Sequence, residues 1–127
     1  MTEPLFLLDS NIIIYILRDA SCLAAQQMQR CAVGTVATSA IVHGEVMRGV
    51  GVREPLQRPV AERFFTLVPV LPFDMAAASR YAELPFKRGS FDRLIAAHAL
   101  SLGLVLVTNN QADFADIPDL RMENWTI

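Results

Sequence analysis

Apolar residues along this chain come in short dense runs separated by longer stretches with helical spacing. The runs are LFLL at 5–8, TVAT at 35–38, LVPVL at 67–71 and LVLV at 104–107, each of strand length and bounded by polar or turn residues. Between them the spacing predicts helices. Asp9-Ser10-Asn11 is N-cap chemistry for a helix through Arg18, although the β-branched run Ile12 to Ile14 favours strand locally. A helix from about Leu23 to Cys31 follows, and Ser39 caps another that Gly49 and Gly51 are expected to stop. Pro55 and Pro59 bracket the start of a helix through Phe65, and Asp74 caps MAAASRYAEL. Residues 84–90 form a connection, after which FDRLIAAHALSL is a strongly apolar helix ended by Gly103. Asn110 caps a short helix through Phe114, and RMENWTI supplies a last edge strand. Strands alternating with helices of this length imply an α/β fold with a mainly parallel sheet covered on both faces.

A length of 127 residues predicts one domain over 1–127 with a single core. Hydrophobic residues at 53% against 19% charged exclude a disordered chain, and the apolar excess points to surface covered by a partner. No apolar run is long enough to span a bilayer, and MTEPLFLLD carries Glu3 where a secretory leader has basic residues, so the expected compartment is the cytoplasm. The net charge of -2 does not advertise a nucleic-acid binder. Acids that hold divalent cations reverse that local sign, however, because the ion itself attracts phosphate. Four of ten arginines, Arg48, Arg53, Arg58 and Arg63, fall in one stretch. They either reach a phosphate backbone or form a solvated face partnered by Glu54 and Glu62. Cys22 and Cys31 would lie roughly 13 Å apart along one helix, on opposite sides, and are read as two reduced thiols.

Four acids stand where apolar segments end or helix faces should be buried. Asp9 directly follows LFLL, Asp113 follows LVLV by a few polar residues, and Glu45 falls on the apolar stripe of its helix near Ile41 and Val42. Asp92 borders the stripe of Phe91, Leu94, Ile95, His98 and Leu102. Each has an ordinary explanation: capping for Asp9, an i,i+3 pair with Arg48 for Glu45, first-turn acids for Asp92 and Asp113. Together they are harder to explain, since two carboxylates about 5 Å apart repel by roughly 3 kcal/mol at an effective dielectric of 20. A cluster of four demands cations or raised pKa values, and oxygen-only ligands suit Mg2+ or Mn2+. In an open parallel sheet such a site forms beyond the carboxyl ends of neighbouring strands, where Asp9 and Thr108 would meet. One or two ions there suit phosphodiester hydrolysis without a protein nucleophile.

The ordered stretches LLDSNIIIYILR, SAIVHGEVMRG, FDRLIAAHAL, LVTNNQADF and ENW closely resemble the PIN-domain ribonucleases that form the toxin half of VapBC toxin-antitoxin systems. The resemblance covers nearly the whole chain and implies a PIN-like three-layer α/β/α fold. It also implies Mg2+- or Mn2+-dependent cleavage of RNA, often tRNA or ribosomal RNA, a homodimer, and inhibition by a small VapB-type antitoxin. Carried onto this sequence, the metal-binding catalytic acids are Asp9, Glu45, Asp92 and Asp113, with Asn11 and Thr108 orienting carboxylates or water. Ser10 stands where threonine is more usual, LPFKRGSF replaces a longer lead-in to the third acid, and Asp116 rivals Asp113 as the fourth.

Two other classes compete with this reading, the first through an acidic magnesium site, a parallel sheet and a similar length. A phosphoacceptor receiver module needs a second acid after the first strand and a lysine after the last long one, where this chain has Ser10 and no lysine beyond Lys87. An aspartate-nucleophile phosphatase needs an acid at position 11, where Asn11 stands. His43 and His98 are read as structural, Trp125 as a core or edge anchor, and the Tyr81–Leu84 face as either core or dimer surface.

Overall fold

The computed structural model describes residues 3–127; Met1 and Thr2, where the reading against a leader begins, lie outside the described residues. Five strands form one sheet in the order β3-β2-β1-β4-β5, with every pairing parallel. They are β1 (Phe6–Leu8), β2 (Val36–Ser39), β3 (Val70–Leu71), β4 (Val105–Val107) and β5 (Met122–Glu123). The helices are α1 (Ser10–Arg18), α2 (Leu23–Arg30), α3 (Ala40–Arg53), α4 (Arg58–Leu67), α5 (Met75–Ala82) and α6 (Asp92–Leu102). Short 3-10 turns at Pro55–Gln57 and Gln111–Phe114 complete the chain.

From β1 the chain steps outward to β2 and β3, then crosses back over β1 to β4. Right-handed crossovers therefore put α1 to α4 on one face and α5 with α6 on the other, giving three layers. The reversal makes β1 and β4 neighbours, with Leu8 paired to Val107. Leu7, Leu8, Leu106 and Val107 are fully buried at the centre of the sheet.

The β-branched run in α1 is helical, since Ile12, Ile13 and Ile16 all face the core and burial outweighs local propensity. Ser39 caps α3 by accepting from the Ile41 N–H at 3.1 Å. Gly49 and Gly51 do not stop this helix, which runs to Arg53 before Pro55. A glycine ends a helix by turning left-handed, as Gly103 does after α6 at φ 67°, whereas Gly49 and Gly51 keep negative φ while Val46 and Val50 anchor the helix in the core. Helix α4 runs on through Leu67, two residues past Phe65, which shortens β3 to Val70–Leu71. Asp74 caps α5 as expected, through the Ala77 N–H at 3.0 Å, but the helix stops at Ala82. Asn110 does not cap its 3-10 turn; its side-chain amide donates to Asp113 instead.

Cys22 and Cys31 flank α2 as free thiols. Trp125 is the expected anchor: buried, edge-on to Phe6, its indole N–H donated to Glu123. Leu84 packs against the core and Tyr81 is half-buried. Val52, Leu56 and Val60, around the turn from α3 into α4, remain exposed.

Candidate functional site

The crevice at the carboxyl ends of β1 and β4 holds Asp9, 4% exposed, and Thr108, fully buried. The Asp9 N–H donates to Val107 O at 2.9 Å, which fixes the backbone at the strand end. Its carboxylate accepts from the Ser10 N–H at 2.8 Å on Oδ1 and from the Thr108 hydroxyl at 2.9 Å on Oδ2. Thr108 Oγ1 in turn accepts from the Asn110 N–H at 3.1 Å. Asp9 is thus both the cap of α1 and a buried carboxylate held on each oxygen.

Glu45 does not pair with Arg48. Ser10 Oγ lies 3.3 Å from Glu45 Oε1 and 3.4 Å from Asp9 Oδ1, so one hydroxyl joins the two acids across α1 and α3. Asp92 opens α6, where its N–H donates to Ser90 Oγ at 3.0 Å. Burial pushes the Asp9 carboxyl above its ordinary range; the Thr108 and Ser10 hydrogen bonds oppose this, and the charge of Asp92 adds to it. Glu45 is raised by burial first, then by Asp9, with Asp92 contributing more weakly. Asp9, Glu45 and Asp92 therefore share one electrostatic environment.

Asp113 makes other contacts. It accepts from the Asn110 side chain and lies 3.7 Å from Lys87 Nζ, the chain's one lysine. Its rival Asp116 is engaged by Arg93, which is 4% exposed and lies 2.9 Å from Asp116 Oδ1. That guanidinium holds the Asp116 carboxyl below its usual range. Among the described residues no three acids, histidines or cysteines are drawn together as a ready-made ion cage. The donors fit a hard divalent ion in kind, since they are all oxygen and, among the described residues, Asp9, Glu45 and Asp92 form no ion pair with a protein cation.

Beside these acids runs a groove of about 750 Å³, lined by Ser10, Asn11 and Glu45, by Arg48 and Arg53 of α3, and by Phe91. Asn11 is exposed there, and among the described residues it is Ser10 rather than Asn11 that bonds to the carboxylates. The stripe drawn on α6 is also displaced. Ile95, Ala96, Ala97, His98 and Ala99 are buried, whereas Phe91 and Leu102 are 54% and 45% exposed. Buried Arg93 was not singled out in the sequence, and an arginine one residue past Asp92 carries no signal of burial. His98 is structural: its Nδ1 meets Ser39 Oγ at 2.8 Å, and burial lowers its pKa. His43 stacks edge-on against Phe65.

The PIN domain family model matches residues 6–120. The tRNA(fMet)-specific endonuclease VapC of Shigella flexneri is 30% identical over 95% of this chain and 98% of its own length. Among solved structures, DNA-bound VapBC from Salmonella typhimurium has a TM-score of 0.85 at 30% identity, covering 96% of this chain and 98% of that one. VapBC2 from Rickettsia felis, bound to a DNA fragment from its promoter, also reaches 0.85, at 28% identity over 95% and 98% of the two chains. With the fold, the strand-end acid and the full-length similarity in agreement, the chain belongs to the PIN-domain family, among its VapC ribonucleases.

Proposed function

We propose that this protein is a divalent-metal-dependent endoribonuclease acting as the toxin of a toxin-antitoxin pair. The observation that carries the reading is Asp9 at the β1/β4 crevice, buried, with Glu45 and Asp92 in its field and, among the described residues, no ion pair to neutralise them. Asp9, Glu45 and Asp92 would hold Mg2+ or Mn2+, with Asp113 of the 3-10 turn as the fourth acid. When bound, the ion supplies Lewis acidity and charge neutralisation at a phosphodiester. Thr108 and Ser10 keep the Asp9 oxygens aimed, Ser10 ties Glu45 to the same position, and Asn11 on the groove wall orients water or substrate. Lys87, 3.7 Å from Asp113, is the protein cation that a bound metal ion would displace there.

The relative named for tRNA(fMet) makes tRNA the first substrate to try, ahead of ribosomal RNA. The VapBC complexes among its structural neighbours support a VapB-type antitoxin as partner, and exposed Val52, Leu56 and Val60 offer apolar surface beside the groove. A homodimer working in the cytoplasm as one domain completes the reading; among the described residues no helix is long and apolar enough to cross a membrane. A receiver-type phosphoacceptor is disfavoured, because β4 is followed by Thr108-Asn109-Asn110 and Lys87 lies on the connection before α6.

The test is cleavage of tRNA by purified protein with Mg2+ or Mn2+, with excess chelator as control. Asp9→Asn and Asp92→Asn should abolish cleavage while the thermal transition survives. Full activity in chelator, or in Asp9→Asn, would overturn the reading.

A further inference from the structure

Phe91 is a large apolar side chain left 54% exposed immediately before Asp92, on the wall of the groove that also contains Glu45. Arg48 and Arg53 line the same groove, and neither forms an ion pair among the described residues. Glu54, the acid next to Arg53, is paired with Arg18 instead, and Arg58 is engaged by Glu62 at 2.9 Å. Among the described residues the stretch therefore holds two groove cations, Arg48 and Arg53, that form no ion pair, a satisfied Arg58, and Arg63, which does not line the groove. Helix α3 also brings Gly44 and Gly49 to the groove lining, and a Cβ added at either would meet nothing within 4 Å. Two glycines there each weaken a helix by roughly 0.5–1 kcal/mol relative to alanine, and what they leave is open width.

An exposed ring, two available guanidinium groups and a widened floor next to carboxylates match one kind of occupant. An aromatic face takes a nucleobase only when that base is unstacked, and a guanidinium takes phosphate through its planar fork. A duplex offers the phosphates without the base face. We propose that Phe91 is the residue of this groove that stacks one unpaired base of the RNA, with flanking phosphates on Arg48 and Arg53, an inference that rests on the ribonuclease reading above. The two arginines also offset the repulsion that phosphate meets at Glu45 and Asp9. Phe91 is then a residue that selects unpaired sites, placed one position from an acid of the proposed metal site.

The test compares a labelled oligonucleotide of roughly ten unpaired nucleotides with a hairpin duplex of the same composition, bound to the Asp9→Asn protein so that cleavage does not intrude. Phe91→Ala should weaken the single strand roughly 5- to 100-fold, and Phe91→Trp should restore it. Arg48→Gln and Arg53→Gln should each lower the salt slope of binding by about 0.7. Because Phe91 is exposed, an unchanged melting temperature in Phe91→Ala separates lost stacking from lost folding. Unchanged affinity in Phe91→Ala while wild-type protein still cleaves RNA overturns the groove assignment and leaves the ribonuclease reading standing. Equal weakening of hairpin and single strand overturns the selection of unpaired sites. Variants that keep RNA affinity and lose only the antitoxin would make the groove a protein site. Wild-type protein that cleaves no RNA removes both readings together.

Discussion

Replacing Thr108 with valine tests how the centre of the site is held. The hydroxyl is fully buried, donates to Asp9 Oδ2 at 2.9 Å and accepts from the Asn110 N–H at 3.1 Å. Valine has nearly the same shape, so the change reads hydrogen bonding rather than packing. A hydrogen bond to a charged group contributes about 1.5–3 kcal/mol and a neutral one about 1 kcal/mol. Asn110 is half-exposed and recovers part of its bond from water. The expected loss with Asp9 ionised is about 2–3 kcal/mol, a fall in melting temperature of roughly 6–12 °C for a chain of this size.

The pH dependence separates this cause from a general loosening. Burial already raises the Asp9 carboxyl above its ordinary 3.8, and the Thr108 bond pulls it back, so valine moves it further up. A carboxyl raised in the folded state binds more protons there than in the unfolded chain. Stability therefore falls as pH rises from 3.8 through the folded pKa, and the valine variant continues to fall to higher pH. Unfolding measured in divalent-free buffer across this range should show wild type and variant converging at low pH and separating above it. In an Asp9→Asn background the cost of Thr108→Val should drop by more than half. A gap independent of pH, or unchanged with Asn at position 9, would mean that the hydroxyl does not serve the carboxylate.

Asp113→Asn should impair RNA cleavage with little change in melting, whereas Asp116→Asn should lower the melting temperature by stranding buried Arg93 and leave cleavage nearly intact; the opposite pattern would exchange their roles. Gly51→Ala, with nothing within 4 Å of the added Cβ and no place on the groove, should stabilise the protein by about 0.5–1 kcal/mol in a melt. Gly44→Ala should stabilise similarly but weaken RNA binding, because its methyl group enters the groove. His98, kept neutral by burial despite the opposing charge of Asp74, should make stability fall as pH drops below its ordinary 6.5, since the unfolded chain then binds the extra proton. Comparing wild type with His98→Gln isolates that slope, which runs opposite to the one from Asp9.

The order of the first three strands and their helices was legible because a short apolar run leads to a good cap in each case: Asp9, Ser39 and Asp74 all accept backbone N–H groups where their sequence contexts suggested. The sequence marked Glu45 as out of place on an apolar stripe, and the structure brings it to Asp9 through Ser10. What could not be read depended on long-range geometry. Whether Gly49 and Gly51 stop α3 turns on the backbone region they occupy, which Val46 and Val50 decide by packing elsewhere. That Asp116 is engaged depends on Arg93, twenty-three residues earlier, and that Asp113 is engaged depends on Lys87, twenty-six residues earlier. That Glu54 does not pair with Arg53 follows from the Arg18–Glu54 contact, which joins α1 to the end of α3 and has no trace in local spacing.

The return of the chain across β1 places Asp9 and Thr108, ninety-nine residues apart, on neighbouring strands whose preceding side chains are fully buried. That centre is as rigid as the core behind it. Asp92, Phe91, Lys87 and Asp113 stand instead on a helix start, a connection and a 3-10 turn, where backbone changes disturb little else. Binding and chemistry should therefore separate under mutation. Changes at Phe91, Arg48 or Arg53 should raise KM with kcat nearly kept, because they alter contacts present in both ground and transition states. Changes at Asp9 should lower kcat, with Thr108→Val between the two, because it acts only through the aim of the Asp9 carboxylate. A groove variant that lost kcat with KM unchanged would show that the wall takes part in the chemical step and that this division is wrong.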